Sequence, residues 1–177
     1  ECAEILGVSA GSMEKKVAII QCAGTCDSVS QKLDYKGIDT CQAVSQMWSG
    51  DSACQYGCLG HGDCAAVCPE NAITVCNGLA TVNTDLCVGC GLCAKACPKH
   101  IIIIEPLKFT QHVRCVNKDK GAETRKTCKV GCIGCKMCQK VCPSDAIVVE
   151  DNIAHIDPEK CTNCGLCAEK CPKKIIM

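Results

Sequence analysis

The stretch Cys132-Ile-Gly-Cys135-Lys-Met-Cys138-Gln-Lys-Val-Cys142-Pro143 decides how this chain is read. Its four cysteines are spaced Cys-x2-Cys-x2-Cys-x3-Cys-Pro, and the same run recurs at Cys87/Cys90/Cys93/Cys97-Pro98 and at Cys161/Cys164/Cys167/Cys171-Pro172. Three thiolates at two-residue gaps can wrap one face of a cubane [4Fe–4S] core. The fourth, set apart by a rigid Pro turn, ligates the neighbouring cluster of a pair. Two other chemistries of dense cysteine fit poorly. Disulfides between cysteines two residues apart would close strained loops, and the odd total of 23 leaves a thiol over. Structural zinc uses paired Cys-x2-Cys knuckles and needs neither a third cysteine nor a repeated Cys-Pro.

Working outward, 23 cysteines in 177 residues stand beside one Trp, two Tyr and one Phe. The aromatic side chains that fill most cores are nearly absent, so clusters surrounded by Ile, Val and Ala must replace them. The aliphatic runs Val17–Ile20 and Ile101–Ile104 are too short to span a bilayer. Residues 1–8 are acidic and lack the basic start and apolar stretch of a signal peptide. The chain begins at Glu1 rather than Met, which reads as a truncation.

Sliding the chain on itself by 74 residues aligns 41–103 with 115–177 without a gap, giving 24 identities in 63 positions, 15 of them not cysteine. Two copies of one module follow. In each, two cysteine motifs lie 19 residues apart, from Cys68 to Cys87 and from Cys142 to Cys161. Between them, Ala72–Val75 and Ala80–Val82 flank Asn77-Gly78, a hairpin turn pair. Ile147–Glu150 and Ala154–Ile156 flank Asp151-Asn152 in the second copy. Short helices are expected at Leu92–Ala96 and Leu166–Lys170, closed by the following Cys-Pro. The fold class expected is α+β: tandem two-cluster ferredoxin-type modules at 41–106 and 107–177, preceded by an N-terminal extension at 1–40 that carries a strand, Cys22 and Cys26.

The first motif departs from the others, because His61 stands where the second copy has Cys135. Its fourth ligand then comes from Cys54, one loop upstream, or from His61, since imidazole also ligates iron. With cross-ligation, the first cluster would use Cys54, Cys58, Cys64 and Cys97, and the second Cys87, Cys90, Cys93 and Cys68. The third would use Cys132, Cys135, Cys138 and Cys171, and the fourth Cys161, Cys164, Cys167 and Cys142. The remaining thiols point to a fifth iron–sulfur cluster at Cys22, Cys26, Cys41 and Cys115, with Cys41, Cys54, Cys115 and Cys128 as the rival set. Cys2 and Cys76 have no repeat partner and read as small buried apolar residues.

The formal charge is zero, with 19 basic and 19 acidic residues, so nothing suggests nucleic acid as a partner. Each oxidised cluster with its four thiolates adds about −2, which makes the loaded protein acidic. Residues 108–142 hold nine Lys/Arg against Asp119 and Glu123, while 27–85 hold seven acids against Lys32 and Lys36. That polarity either orients docking to redox partners or lets Lys126, Lys129, Lys136 and Lys140 offset cluster charge locally. No nucleophile with an attendant base, no Walker A loop and no GxGxxG leading into a helix is present, so no catalytic residue is assigned. The expected function is one-electron transfer in a reducing, intracellular compartment.

The order VAIIQCAGTC, YKGIDTC, ACQYGCLGHGDCAAVCP, VRCVNKDKGAETRKTCKVGCIGCKMCQKVCP and TNCGLCAEKCP resembles the B subunit of the Rnf complex in its long polyferredoxin form. The resemblance implies an electron-transfer subunit of a membrane-bound, ion-translocating ferredoxin:NAD oxidoreductase. It would take electrons from reduced ferredoxin and relay them to other subunits that hold flavin and NAD chemistry. It also implies a place at the cytoplasmic side of the membrane, with the family's membrane helix and first cluster domain outside this chain. A polyferredoxin subunit of a hydrogenase, formate dehydrogenase or similar soluble enzyme is the alternative within electron transfer. A structural metal-binding interaction module is a remote third.

Overall fold

The computed structural model describes residues 14–177. Cys2 therefore lies outside the described residues. Among the described residues helices and strands are mixed and all are short, which suits cysteine loops rather than long apolar faces. Strand β1 (Lys16–Ile20) pairs antiparallel with β4 (Ile102–Pro106), so that Ile20 lies opposite Ile102. Strands β2 (Ile73–Cys76) and β3 (Leu79–Val82) form the hairpin expected around Asn77-Gly78, and β5 (Ile147–Glu150) and β6 (Ile153–Ile156) form its counterpart.

Among the described residues six helices carry or flank the cysteines: α1 (Cys41–Ser45), α2 (Asp63–Ala66), α3 (Leu92–Ala96), α4 (Gly121–Thr127), α5 (Met137–Val141) and α6 (Leu166–Lys170). Helices α2 and α3 pack together in the first half, and α5 and α6 in the second. The Cys-Pro steps at Cys97, Cys142 and Cys171 end α3, α5 and α6 because the residue before a proline is pushed out of helical conformation. Those three C-caps are extended. Gly60 shows why the loop before α2 needs glycine: its φ is +78°, and a Cβ there would stand 2.6 Å from the Gly78 carbonyl oxygen of the β2–β3 turn. Gly134 meets Asn152 in the same way in the second half.

Among the described residues two large buried clusters form the core, beside a small third one of Cys41, Val44 and Leu59. One gathers Val17, Ala18, Ile20, Ile73, Leu79, Ile101 and Ile102 with cysteines of the first half. The other gathers Val113, Ile147, Ile153, Ile175 and Ile176 with cysteines of the second. Strand β1 is thus part of the first half's own sheet rather than a free extension. Its match in the second half is the short bridge of Val113 to Ile176, extended by reciprocal hydrogen bonds between His112 and Met177 at 2.9 and 3.1 Å.

That match changes which cysteines are equivalent. Gln21 donates its N–H to the Ile101 carbonyl at 2.7 Å, and Arg114 donates to Ile175 at 2.8 Å. Ile101 and Ile175 are repeat partners at the 74-residue offset, so Cys22 and Cys115 follow structurally equivalent residues. The ungapped alignment pairs Cys115 with Cys41 instead. In structure, the first half carries an extra segment between Cys22 and Cys54, and Cys41 rides on it.

Candidate iron–sulfur sites

Each half gathers its thiols around small cavities. Cys68, Cys87, Cys90 and Cys93 line one beside Pro69 and Ile104. Cys132, Cys135, Cys138 and Cys171 line another, closed by Pro172 and Ile176. Cys161 and Cys164 lie near enough to Cys167 for their charges to act on it. Cys142, the repeat partner of Cys68, ends α5, which packs on α6. Backbone N–H groups point at the sulfurs in matching ways. Ala72 donates to Cys68 Sγ and Ala146 to Cys142 Sγ, both at 3.3 Å, and the two bonds are related by the 74-residue repeat.

At the first motif the structure groups the thiols differently from the expected set. Cys41, not Cys54, lines the cavity of Cys58, Cys64 and Cys97. The reason lies one residue before Cys64: the Asp63 carboxylate accepts the N–H groups of Cys41 and Gln42 at 2.8 and 3.0 Å, capping α1. Thr40 adds its hydroxyl as acceptor for the Ala43 N–H, and Val44 and Leu59 bury the helix against Tyr35. His61 does not line the cavity. Its Nδ1 holds Asp39 at 2.5 Å, Nε2 lies 3.5 Å from Asp51, and its ring meets Tyr35 edge-on. His61 thus ties the loop that carries Cys41 to Asp39 and Asp51, with both ring nitrogens facing carboxylates. No local sequence signal points to Cys41, because it aligns with Cys115 without a gap at the 74-residue offset.

Cys54 and Cys22 go elsewhere. Together with Cys26, Cys58, Cys115 and Cys128 they line a cavity of about 160 Å³ between the halves. Cys26 is exposed, as is Cys76, which corrects the expectation that Cys76 is buried.

Burial pushes the Cys64 thiol up to about 12, with the neighbouring Cys58, Cys41 and Cys97 adding to the shift. Burial likewise raises Cys58, Cys115 and Cys138 to about 11. Such sites cannot hold several thiolates by themselves, and an iron core's positive charge reverses that balance. At Cys142 burial also pushes up, but the Ser144 hydroxyl and the N–H groups of Ala146 and Ser144 outweigh it and draw the thiol below its ordinary value.

These arrangements fit clusters better than single ions. Among the described residues, no three His, Cys, Asp or Glu side chains converge tightly enough to hold one metal ion. The thiols instead stand around voids, as four ligands bound to different irons of one cubane must. Lys99, whose pKa burial lowers, donates to the Gln55 carbonyl at 2.7 Å, and its repeat partner Lys173 donates to the Lys129 carbonyl at 2.6 Å. Of the basic residues in 108–142, Lys118 pairs with Asp151, Lys126 with Glu123, and Lys129 donates to the Asp27 carbonyl.

Residues 131–175 match the 4Fe–4S dicluster domain, and residues 80–103 and 58–72 each match a 4Fe–4S binding domain. The chain is 44% identical over 175 residues to the B subunit of the Na(+)-translocating ferredoxin:NAD(+) oxidoreductase complex of Acetobacterium woodii, covering 98% of this chain and 53% of that protein. It is 43% identical to the B subunit of the proton-translocating ferredoxin:NAD(+) oxidoreductase complex of Clostridium ljungdahlii, over 97% of this chain and 62% of the relative. It is 38% identical to the B subunit of the ion-translocating oxidoreductase complex of Methanosarcina acetivorans, over 97% and 66%. The chain thus spans about half to two-thirds of the length of these curated relatives. No helix among the described residues is long and apolar enough to cross a membrane. With multiple [4Fe–4S] clusters implied by its matched domains and its cysteines, the chain is an iron–sulfur protein of several ferredoxin-type domains and a homologue of the B subunit of the Rnf ion-translocating ferredoxin:NAD oxidoreductase complexes.

Proposed function

We propose that the chain is an electron relay of a membrane-bound, ion-translocating ferredoxin:NAD oxidoreductase, placed at the cytoplasmic side and taking electrons from reduced ferredoxin for other subunits. The observation that carries this reading is the repeated gathering of four thiols around separate cavities in a chain homologous to those subunits. A [4Fe–4S] cluster supplies one-electron transfer, and the protein's part is to ligate it, exclude water and set its potential through N–H groups aimed at sulfur.

Two tandem modules each hold two clusters in this reading. The ligand sets are Cys41, Cys58, Cys64 and Cys97 for the first cluster and Cys68, Cys87, Cys90 and Cys93 for the second. Cys132, Cys135, Cys138 and Cys171 serve the third, and Cys142, Cys161, Cys164 and Cys167 the fourth. The first module includes β1, because β1 pairs with β4.

The test is anaerobic rapid mixing of the cluster-loaded protein with reduced ferredoxin. Bleaching of the broad visible cluster absorption, at a rate that falls with ionic strength, supports the relay and charge-guided docking. An unchanged spectrum with a fully loaded protein contradicts the relay.

A further inference from the structure

The cavity between the halves is built from both of them in matching pieces. Cys22 and Cys115 each end a strand-like segment held to its own half by the Gln21–Ile101 and Arg114–Ile175 hydrogen bonds. Each sulfur accepts an N–H two residues on, from Gly24 and from Asn117. Cys54 and Cys128 are repeat partners at the 74-residue offset, and each accepts N–H groups two and three residues on, from Tyr56 and Gly57 and from Val130 and Gly131. These four thiols form two equivalent pairs, related as the two halves are.

Their sulfurs share the cavity. A Cβ added at Gly57 would stand 3.4 Å from Cys54 Sγ and 3.5 Å from Cys22 Sγ. One added at Gly24 would stand 3.7 Å from both Cys22 Sγ and Cys128 Sγ. Cys115 lines the same wall. The two buried polar residues among the described ones, Asn117 and Thr124, both support it. Asn117 Nδ2 donates to Cys54 Sγ at 3.8 Å, and the Thr124 methyl packs toward Gly131 beside Cys128. Buried donors directed at sulfur suit a thiolate, not a thiol in an apolar core. The equivalent of Cys26 in the second half is Asp119, so Cys26 lacks a partner, and it is exposed at the rim beside the Gly78 turn.

We infer that Cys22, Cys54, Cys115 and Cys128 hold a fifth [4Fe–4S] cluster that joins the two modules. It differs from the expected set of Cys22, Cys26, Cys41 and Cys115, because Cys41 is engaged at the first motif. The junction is also wired by backbone. The N–H of Cys58, in the first motif, donates to Cys22 Sγ at 3.4 Å, and the N–H of Cys132, in the third, donates to Cys115 Sγ at 3.3 Å. Each neighbouring motif thus touches the fifth site through one of its own cysteines. An electron crossing between modules would enter on one side as one leaves on the other, with no bond made or broken. The purpose assigned here rests on the relay reading, whereas the site rests on the thiols.

The test is anaerobic iron and acid-labile sulfide analysis, with Mössbauer spectroscopy, on the reconstituted chain and on the Cys128→Ser, Cys115→Ser and Cys26→Ser variants. Five clusters correspond to about 20 irons and 20 sulfides. The site predicts that content in the parent and in Cys26→Ser, with a loss of about one-fifth in Cys128→Ser and in Cys115→Ser. About 16 irons in the parent overturns the site even if a variant fails to fold. Loss of one-fifth in Cys26→Ser but not in Cys115→Ser overturns the ligand set. A parent with about 20 irons that reduced ferredoxin cannot reduce leaves the site standing and removes the relay, whereas about 16 irons with normal reduction does the reverse.

Discussion

Ile20 and Val113 hold the same place in the two halves of the molecule: Ile20 pairs with Ile102 and Val113 with Ile176, partners 74 residues apart, although Ile20 and Val113 are 93 apart. The 19-residue difference is the extra segment of the first half, which carries α1 and Cys41. That segment is tied down at Asp39 by His61 and at Cys41 by Asp63. A loop insertion costs little in chain entropy when its ends are fixed, and in the proposed ligand set it supplies the thiol that the first motif lacks.

Replacement is testable by rescue. Cys41→Ser lowers iron content by about four atoms, and adding His61→Cys, which copies the arrangement at Cys135, restores it. Cys54→Ser also lowers iron, but adding His61→Cys to it restores nothing, because Cys54 belongs to the central cavity. Iron analysis of the four variants reads this directly. Rescue of Cys54→Ser with none for Cys41→Ser would reverse the assignment.

In the proposed ligand sets, Ser144 sets the cluster at Cys142 apart in potential from its counterpart at Cys68. Its hydroxyl lies 3.6 Å from Cys142 Sγ, while the matching position beside Cys68 is Glu70. Donors to ligand sulfur favour the reduced, more negative cluster. Ser144→Ala therefore lowers the potential of the cluster bound by Cys142 and leaves the other clusters unmoved. An EPR-monitored redox titration measures it, and an upward shift would count against the Ser144 hydroxyl as donor.

Loading should release protons. Without iron, Cys64 is pushed up to about 12 and Cys58, Cys115 and Cys138 to about 11, so these thiols are protonated near neutral pH and must lose protons to become ligands. Apparent iron affinity rises with pH through the range below those values. Anaerobic reconstitution in weak buffer is expected to acidify the solution, and greater cluster retention at pH 6 than at pH 8 under a fixed chelator would contradict the sign.

Removing the iron should also remove the fold. The buried clusters place cysteines among a few small aliphatic side chains, and the sheets have two strands each, too few to stand alone in water. Far-UV circular dichroism after chelation is expected to lose its native shape. Retention of native-like ellipticity in iron-free protein would show that the aliphatic packing suffices.

The Cys-x2-Cys-x2-Cys-x3-Cys-Pro runs, the hairpins at Asn77-Gly78 and Asp151-Asn152, and helices α3 and α6 were legible because spacing and turn chemistry are local. The roles of Cys41 and Cys22 were not, since both depend on contacts across long stretches of chain. Cys41 and Cys115 align in sequence without a gap, yet the strand pairing places Cys22 at the position equivalent to Cys115. The largely buried ring of His61 is held by Asp39 and Asp51, contacts that no local sequence pattern foretells. The hydrogen bond of Gln21 to Ile101 settles the equivalence that composition and spacing could not.

The most direct measurement is an anomalous-difference map at the iron edge from anaerobically grown crystals of the loaded chain. The account predicts five iron sites, one enclosed by Cys22, Cys54, Cys115 and Cys128, and one by Cys41, Cys58, Cys64 and Cys97. Four sites, with Cys54 on the iron of the first motif and Cys41 free, would contradict it.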